Sequence, residues 1–273
     1  MTKKALVTGA SEGIGRVFAE QLAKDGWQIT AVARNEARLK ELTRDLSGTG
    51  ASGSQHTYLV ADLSDREATS RLADHVAHAG YDLLINNAGH GVYGAFSEMS
   101  LEKVHAMMRT NLDALVDLSH AFLSTAKPGD VLLNVASTLA LMPFPTAGVY
   151  AATKAFVVSF SESLWYENRS RGVHVMALCP GVTATRFHEV AGGTNENRPP
   201  KAITQSPEGV VAAALKAIAK RSGPTVLTNA TNGMMLFSTR FMSRKAVVKM
   251  MGGFAPRDQS SNATSRPLRT NAK

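Results

Sequence analysis

Residues 148–156 read GVYAATKAF, and two of them could move a proton. Tyr150 and Lys154 stand four positions apart, so a helix would set them on one face with origins about 6 Å apart. A cation in so apolar a run is costly unless something uses it. A free phenol titrates near 10, and a cation about 5 Å away at an effective dielectric near 20 is worth roughly 3 kcal/mol, which would lower the phenol by about two pH units. On that arithmetic Tyr150 becomes an acid and base near neutral pH. Ser137, closing the strand-like VLLNVAS, offers a hydroxyl on the edge where a doubly wound sheet presents its ligands. Asn111 in MMRTNLDAL is a polar amide that gains a helix little.

A second group of residues could hold phosphate. TGASEGIG, residues 8–15, places Gly9, Gly13 and Gly15 between an apolar run and an amphipathic one. Glycine lets the backbone turn sharply beside a pyrophosphate, and the N–H groups of a helix start favour its charge. The next apolar run, WQITAVAR, ends at Ala33 and Arg34, with Arg38 one turn on. An acid at that place would bind the ribose of NAD(H), whereas Arg meets a 2′-phosphate in a bidentate way. The residues therefore prefer NADP(H), with NAD(H) left open. Glu12, inside the glycine turn, is an unfavourable neighbour for a further phosphate.

The elements that would position these groups alternate along the chain. ALVTG, WQITAVAR, TYLVADL, YDLLINNAG, DVLLNVAS and VHVMALCPG are short runs rich in Val, Leu and Ile, separated by helical patterns. Strands buried on both faces and joined by helices call for a parallel sheet, so the expected class is α/β, doubly wound, in a single Rossmann-type domain. The run from Val104 to Ala126 reads as one long helix. SPEGVVAAALKAIAK and TVLT close the domain. The expected division is a catalytic domain over 1–232, an amphipathic helical extension over 233–254 and a disordered basic tail over 255–273.

In this order the motifs resemble the classical short-chain dehydrogenase/reductase family over residues 4–230. The resemblance rests on the glycine turn, Asp62, NNAG at 86–89, Asn111, Ser137, the YxxxK pair and PGVTAT at 180–185. It implies a catalytic tetrad of Asn111, Ser137, Tyr150 and Lys154, with Lys154 also holding the nicotinamide ribose and Asn111 anchoring a water. It further implies cofactor contacts from Ser11, Ile14, Asp62, Leu63, Asn87, Ala88, Gly89, Pro180, Gly181, Thr183 and Thr185. The expected reaction is hydride transfer between NADP(H) and a carbonyl or secondary alcohol, in a homodimer or homotetramer. A dinucleotide-binding regulator without turnover is the alternative, since the fold alone does not establish chemistry.

Composition narrows the remaining choices. The net charge of +8 suggests nucleic acid until it is located: from Arg240 onward there are eight Lys or Arg and one Asp. The body is nearly neutral and carries no zinc finger or RNP-like motif, so no nucleic-acid partner is expected. The lone Cys179 excludes an intrachain disulfide and suits a reducing, cytoplasmic setting. No metal site is expected, because His75 and His78 lack a motif carboxylate and HExxH is absent. Leu139, Leu141, Met142, Phe144 and Phe187, from the loop before Tyr150 and a lid over 186–205, suggest a lipophilic ketone, 3-oxoacyl or steroid-like substrate. In the extension, Met235, Phe237, Phe241, Met242, Val247, Val248 and Met251 alternate with Arg240, Arg244, Lys245 and Lys249. Such a helix packs on its own domain or a neighbouring subunit, the favoured reading, or makes peripheral contact with a membrane.

Overall fold

Seven apolar runs form one parallel sheet: β1 (Lys4–Thr8), β2 (Gln28–Ala33), β3 (Thr57–Val60), β4 (Leu83–Asn86), β5 (Val131–Val135), β6 (His174–Cys179) and β7 (Thr225–Leu227). The structure, a computed structural model, describes residues 2–47, 55–192, 200, 203–229, 233, 239 and 241–254. Spatial order is β3-β2-β1-β4-β5-β6-β7, so the chain leaves β1 in one direction and returns to its other side at β4. Val7 consequently pairs with both Ala31 and Ile85. That reversal opens a crevice beyond the carboxyl ends of β1 and β4, where such sheets bind ligands.

Alternate residues of each strand face opposite helical layers. Val7, Ile29 and Ile85 pack with Phe18 and Leu22 of α1 (Gly13–Lys24), Leu39 and Leu42 of α2 (Glu36–Ser47), and Val210 of α8 (Pro207–Ala219). Leu6, Leu84 and Leu132 face Leu72 of α3 (Arg66–Ala79), Phe122 of α5 (Ala114–Thr125) and Trp165 of α6 (Gly148–Asn168). β4, β5 and β6 are buried along their whole length. Both faces are covered, which is why these strands read as continuous apolar runs.

The expected long helix is present and carries a π-helical turn inside it: α4 (Leu101–Met108) passes through Arg109–Asp113 into α5 without a break. The extra residue in that turn sets Asn111 inward, where it is 1% exposed. Nearer the other end of the chain, the segment expected to form a lid carries α7 (Phe187–Val190), and the extension carries α9 (Arg244–Gly252). Val247 and Met251 of α9 are buried against Met142, with Phe144 and Leu227 beside them. The buried face of α9 therefore packs on its own domain, while Phe241 and Val248 stay exposed. Among the described residues no helix is long and apolar enough to cross a membrane. Residues 255–273 of the expected tail, 193–199 and 201–202 of the expected lid, and Met235, Phe237 and Arg240 of the expected extension lie outside the described residues.

Gly15 shows why the first turn admits no side chain. A Cβ there would lie 2.4 Å from the Gly9 carbonyl oxygen and 2.5 Å from Asn87 Nδ2. Gly15→Ala is expected to destabilise the fold by about 2–4 kcal/mol, a fall in melting temperature of roughly 5–15 °C. A melt within about 2 °C of the wild type would contradict this close packing.

Candidate functional site

A cavity of about 1200 Å³ lies along the carboxyl ends of the strands. It runs from the glycine turn and Arg34 at one end to Tyr150, Phe187 and Met251 at the other. Its floor is pinned by Thr8, at the tip of β1. The Thr8 hydroxyl accepts from the N–H groups of Asn87 and Ala88, both at 3.0 Å, and Asn87 Nδ2 donates to the Thr8 carbonyl at 2.9 Å. The glycine turn and the NNAG segment are thus one unit. Gly9 and Gly13 hold φ of 68° and 58°, a conformation that disfavours side chains. A Cβ on Gly89 would meet Asn111 Oδ1 at 3.0 Å and Lys154 Nζ at 3.3 Å.

The residues predicted to bind cofactor gather on this cavity with one exception. Gly9, Ser11, Gly13, Ile14, Arg34, Arg38, Asp62, Leu63, Asn87, Ala88, Gly89, Pro180, Gly181, Thr183 and Thr185 all line it, whereas Gly15 lies behind the wall as a packing glycine. The glycine cradle, the open backbone and the length of the cavity fit a dinucleotide. The Asp62 carboxylate accepts from the N–H and hydroxyl of Ser64 at 2.9 and 2.8 Å. Burial raises its pKa, but those two bonds and nearby Arg34 outweigh burial and hold it below the ordinary carboxylate value. Arg38 does not point freely into the cavity: it is paired with Glu12, which also meets Arg186 Nη1 at 3.4 Å.

Tyr150 and Lys154 share one face of α6, as their spacing predicts. Lys154 Nζ sits 5.9 Å from the centre of the Tyr150 ring and donates to the Val135 carbonyl at 2.7 Å. Ser137 lines the same wall two residues past β5, and its Oγ accepts from the Leu139 N–H at 3.2 Å, capping the 3-10 turn Thr138–Leu141. Capping and a place on the cavity wall coexist in this residue. Asn111 is buried behind the cavity wall, 1% exposed. Its Nδ2 donates to the His90 carbonyl at 3.0 Å and to Thr153 Oγ1 at 3.1 Å, and its Oδ1 accepts from the His90 N–H. Thr153 in turn donates to the Tyr150 carbonyl at 2.7 Å. Asn111 therefore ties the segment after NNAG to the helix carrying Tyr150 and Lys154.

The electrostatics also correct the sequence arithmetic. Burial, with Tyr93 close by, pushes the Tyr150 phenol far above its ordinary pKa, and the Ser137 hydroxyl only partly opposes this. Burial lowers Lys154 to about 8. The expected lowering of Tyr150 is absent because both groups are buried together, and loss of hydration penalises phenolate and ammonium alike. Near neutral pH the pair is a protonated phenol beside an amine close to its own titration point. His90 is held below its ordinary value by burial, then by the positive charge of Arg34.

The far end of the cavity is apolar. Leu139, Met142, Phe144 and Phe187 line it as expected, but Leu141 does not: the 3-10 turn directs it outward, where it is partly exposed. Phe187 and Tyr93 pack on the Tyr150 ring, with centroids 5.3 and 6.4 Å away. Tyr93, His90 and Thr153 escaped the sequence reading, and of these Thr153, inside the YxxxK spacing, and His90, directly after NNAG, stood where position could have flagged them.

Comparison with known proteins agrees with this arrangement. The short chain dehydrogenase family profile matches residues 3–195. Sulfoacetaldehyde reductase 2 of Chromohalobacter salexigens is 33% identical over 202 residues, 72% of this chain and 79% of the relative. A short-chain dehydrogenase from Sphingobium yanoikuyae, solved in complex with NADPH, is 29% identical with a TM-score of 0.77, covering 87% of this chain and 93% of the other. A short-chain dehydrogenase/reductase from Burkholderia phymatum, solved in complex with NAD, is 25% identical with a TM-score of 0.74, covering 86% of this chain and 92% of the other.

Proposed function

The chain belongs to the short chain dehydrogenase family, and on that premise we propose that it is an NADP(H)-dependent reductase of lipophilic carbonyl compounds, with Tyr150 as its proton donor. The observation that carries this reading is the meeting of Ser137, Tyr150 and Lys154 on one cavity wall whose other end is a glycine cradle. The reduced nicotinamide, when bound, supplies the hydride. Every other task falls to the chain. Ser137 Oγ holds the substrate oxygen beside the phenol, and Tyr150 breaks its O–H bond to protonate that oxygen as the carbonyl carbon is reduced. The Lys154 ammonium, its pKa lowered to about 8 by burial, balances the phenolate's charge and then returns its proton to it, the neutral amine being reprotonated from solvent. Asn111 acts as a positioning residue through His90 and Thr153. The protonated state of Tyr150 suits reduction; the reverse reaction needs the phenolate and is favoured by rising pH.

Arg34 and Arg38 support the preference for NADP(H), while solved relatives holding NADPH and NAD leave NAD(H) usable. Replacing both arginines with Ala is expected to weaken NADPH binding about 10–100-fold and NADH binding less than about 3-fold. Equal weakening of both would count against a 2′-phosphate site. Apolar Leu139, Met142, Phe144 and Phe187 support a ketone, 3-oxoacyl thioester or steroid-like substrate. A panel of these, followed by loss of NADPH absorbance, tests the assignment; turnover confined to small polar sugars would refute it. Residues 1–232 make the catalytic unit in this reading; the resemblance supports a homodimer or homotetramer, and the lone Cys179 supports a cytoplasmic setting.

A further inference from the structure

Glu12 occupies a place that the coenzyme reading leaves unexplained. Its carboxylate, from the glycine turn, is the shared partner of Arg38 on α2 and of Arg186 just before α7. All three side chains line the cavity and are 39–57% exposed, so a bound ligand can reach them. The neighbouring residue confirms that the two segments touch: a Cβ on Gly13 would lie 3.1 Å from Thr185 Cγ2. One residue beyond Arg186, Phe187 packs on the Tyr150 ring. A single carboxylate therefore links the corner that would receive a 2′-phosphate to the segment covering the reactive phenol.

We propose that Glu12 is an internal counter-ion which a coenzyme's 2′-phosphate must displace from Arg38, and that the released carboxylate then holds Arg186 and the segment over Tyr150. The inference rests on the NADP(H) preference proposed above. A dianionic phosphate competes directly with one carboxylate for a guanidinium, and the bidentate phosphate contact is the stronger. Glu12 also repels that phosphate, so it weakens NADPH binding more than NADH binding, which lacks the 2′-phosphate. The phosphate state of the coenzyme would in this way set how firmly 186–190 is held.

Fluorescence titration of the full chain with NADPH and NADH tests the first half, and hydrogen exchange over 186–192 tests the second. Glu12→Gln keeps the shape and removes the charge. It is expected to tighten NADPH about ten-fold while NADH changes less than about two-fold. Adding Arg38→Met should abolish that gain. In the wild type NADPH should protect 186–192 more than NADH does, and Glu12→Gln or Arg186→Met should erase the difference. An unchanged ratio of NADPH to NADH affinity in Glu12→Gln overturns this inference alone. Failure of the wild type to bind either coenzyme overturns the coenzyme reading together with it.

Discussion

Tyr150→Phe is expected to lower kcat for carbonyl reduction by about 10³-fold or more while NADPH affinity stays within about 3-fold. The substitution removes one hydroxyl and leaves the ring in place, packed on Phe187 and Tyr93. The phenol is 5% exposed as a residue, and burial keeps it protonated well beyond its ordinary range. Its role as a donor therefore needs no prior ionisation. Ser137, on the same wall, is an alcohol of far weaker acidity and does not replace it as a donor. Steady-state kinetics with a responsive ketone, beside a coenzyme titration, check the split. A turnover within tenfold of the wild type would remove Tyr150 from the reaction.

Lys154→Met should have the second large effect, and an opposite one on stability. Turnover should fall by about 10²–10⁴-fold, because the phenolate left after proton donation loses its counter-charge and its proton source. Stability should rise at neutral pH. Lys154 has a folded pKa of about 8 against an ordinary value of 10.5, so the unfolded chain binds the extra proton between those values. Wild-type stability from this group therefore increases as pH rises from 8 to 10.5, and below 8 the buried cation costs about 3 kcal/mol. The variant removes that cost, less about 1 kcal/mol for the Val135 carbonyl that loses its donor. A melting temperature several degrees above wild type at pH 7, shrinking toward pH 10, is the expected result. A lower melting temperature at pH 7 would show that the ammonium is a structural asset.

Order and class of elements were legible because a parallel sheet covered on both faces imposes continuous apolar strands and amphipathic helices. The glycine turn, the YxxxK spacing and the arginines after β2 were legible for a similar reason: each depends on neighbours a few residues away. What escaped depends on distance or on the medium. The π-helical turn at Arg109–Asp113 changes the helical register by one residue, which the pattern of Met107, Leu115 and Leu118 does not reveal. It turns Asn111 from a mid-helix amide into a link between His90 and Thr153. The titration of Tyr150 could not be read from a helical spacing, because burial of the pair outweighs their attraction. Leu141 was misplaced as lining because a 3-10 turn, unlike a strand, sends Leu139 and Leu141 in different directions. The Glu12 contact with Arg186 spans 174 positions and has no local signature. The packing of α9 on Met142 likewise joins parts of the chain that no periodicity connects.

The most direct measurement follows the label from NADPH carrying deuterium at C4 of the nicotinamide into a ketone product, for wild type and Tyr150→Phe. Deuterium on the carbinol carbon with the wild type, and a loss of about 10³-fold in its rate of appearance with the variant at saturating coenzyme, is the predicted outcome. Coenzyme binding with no label in any carbonyl product, or equal labelling by both proteins, would contradict it.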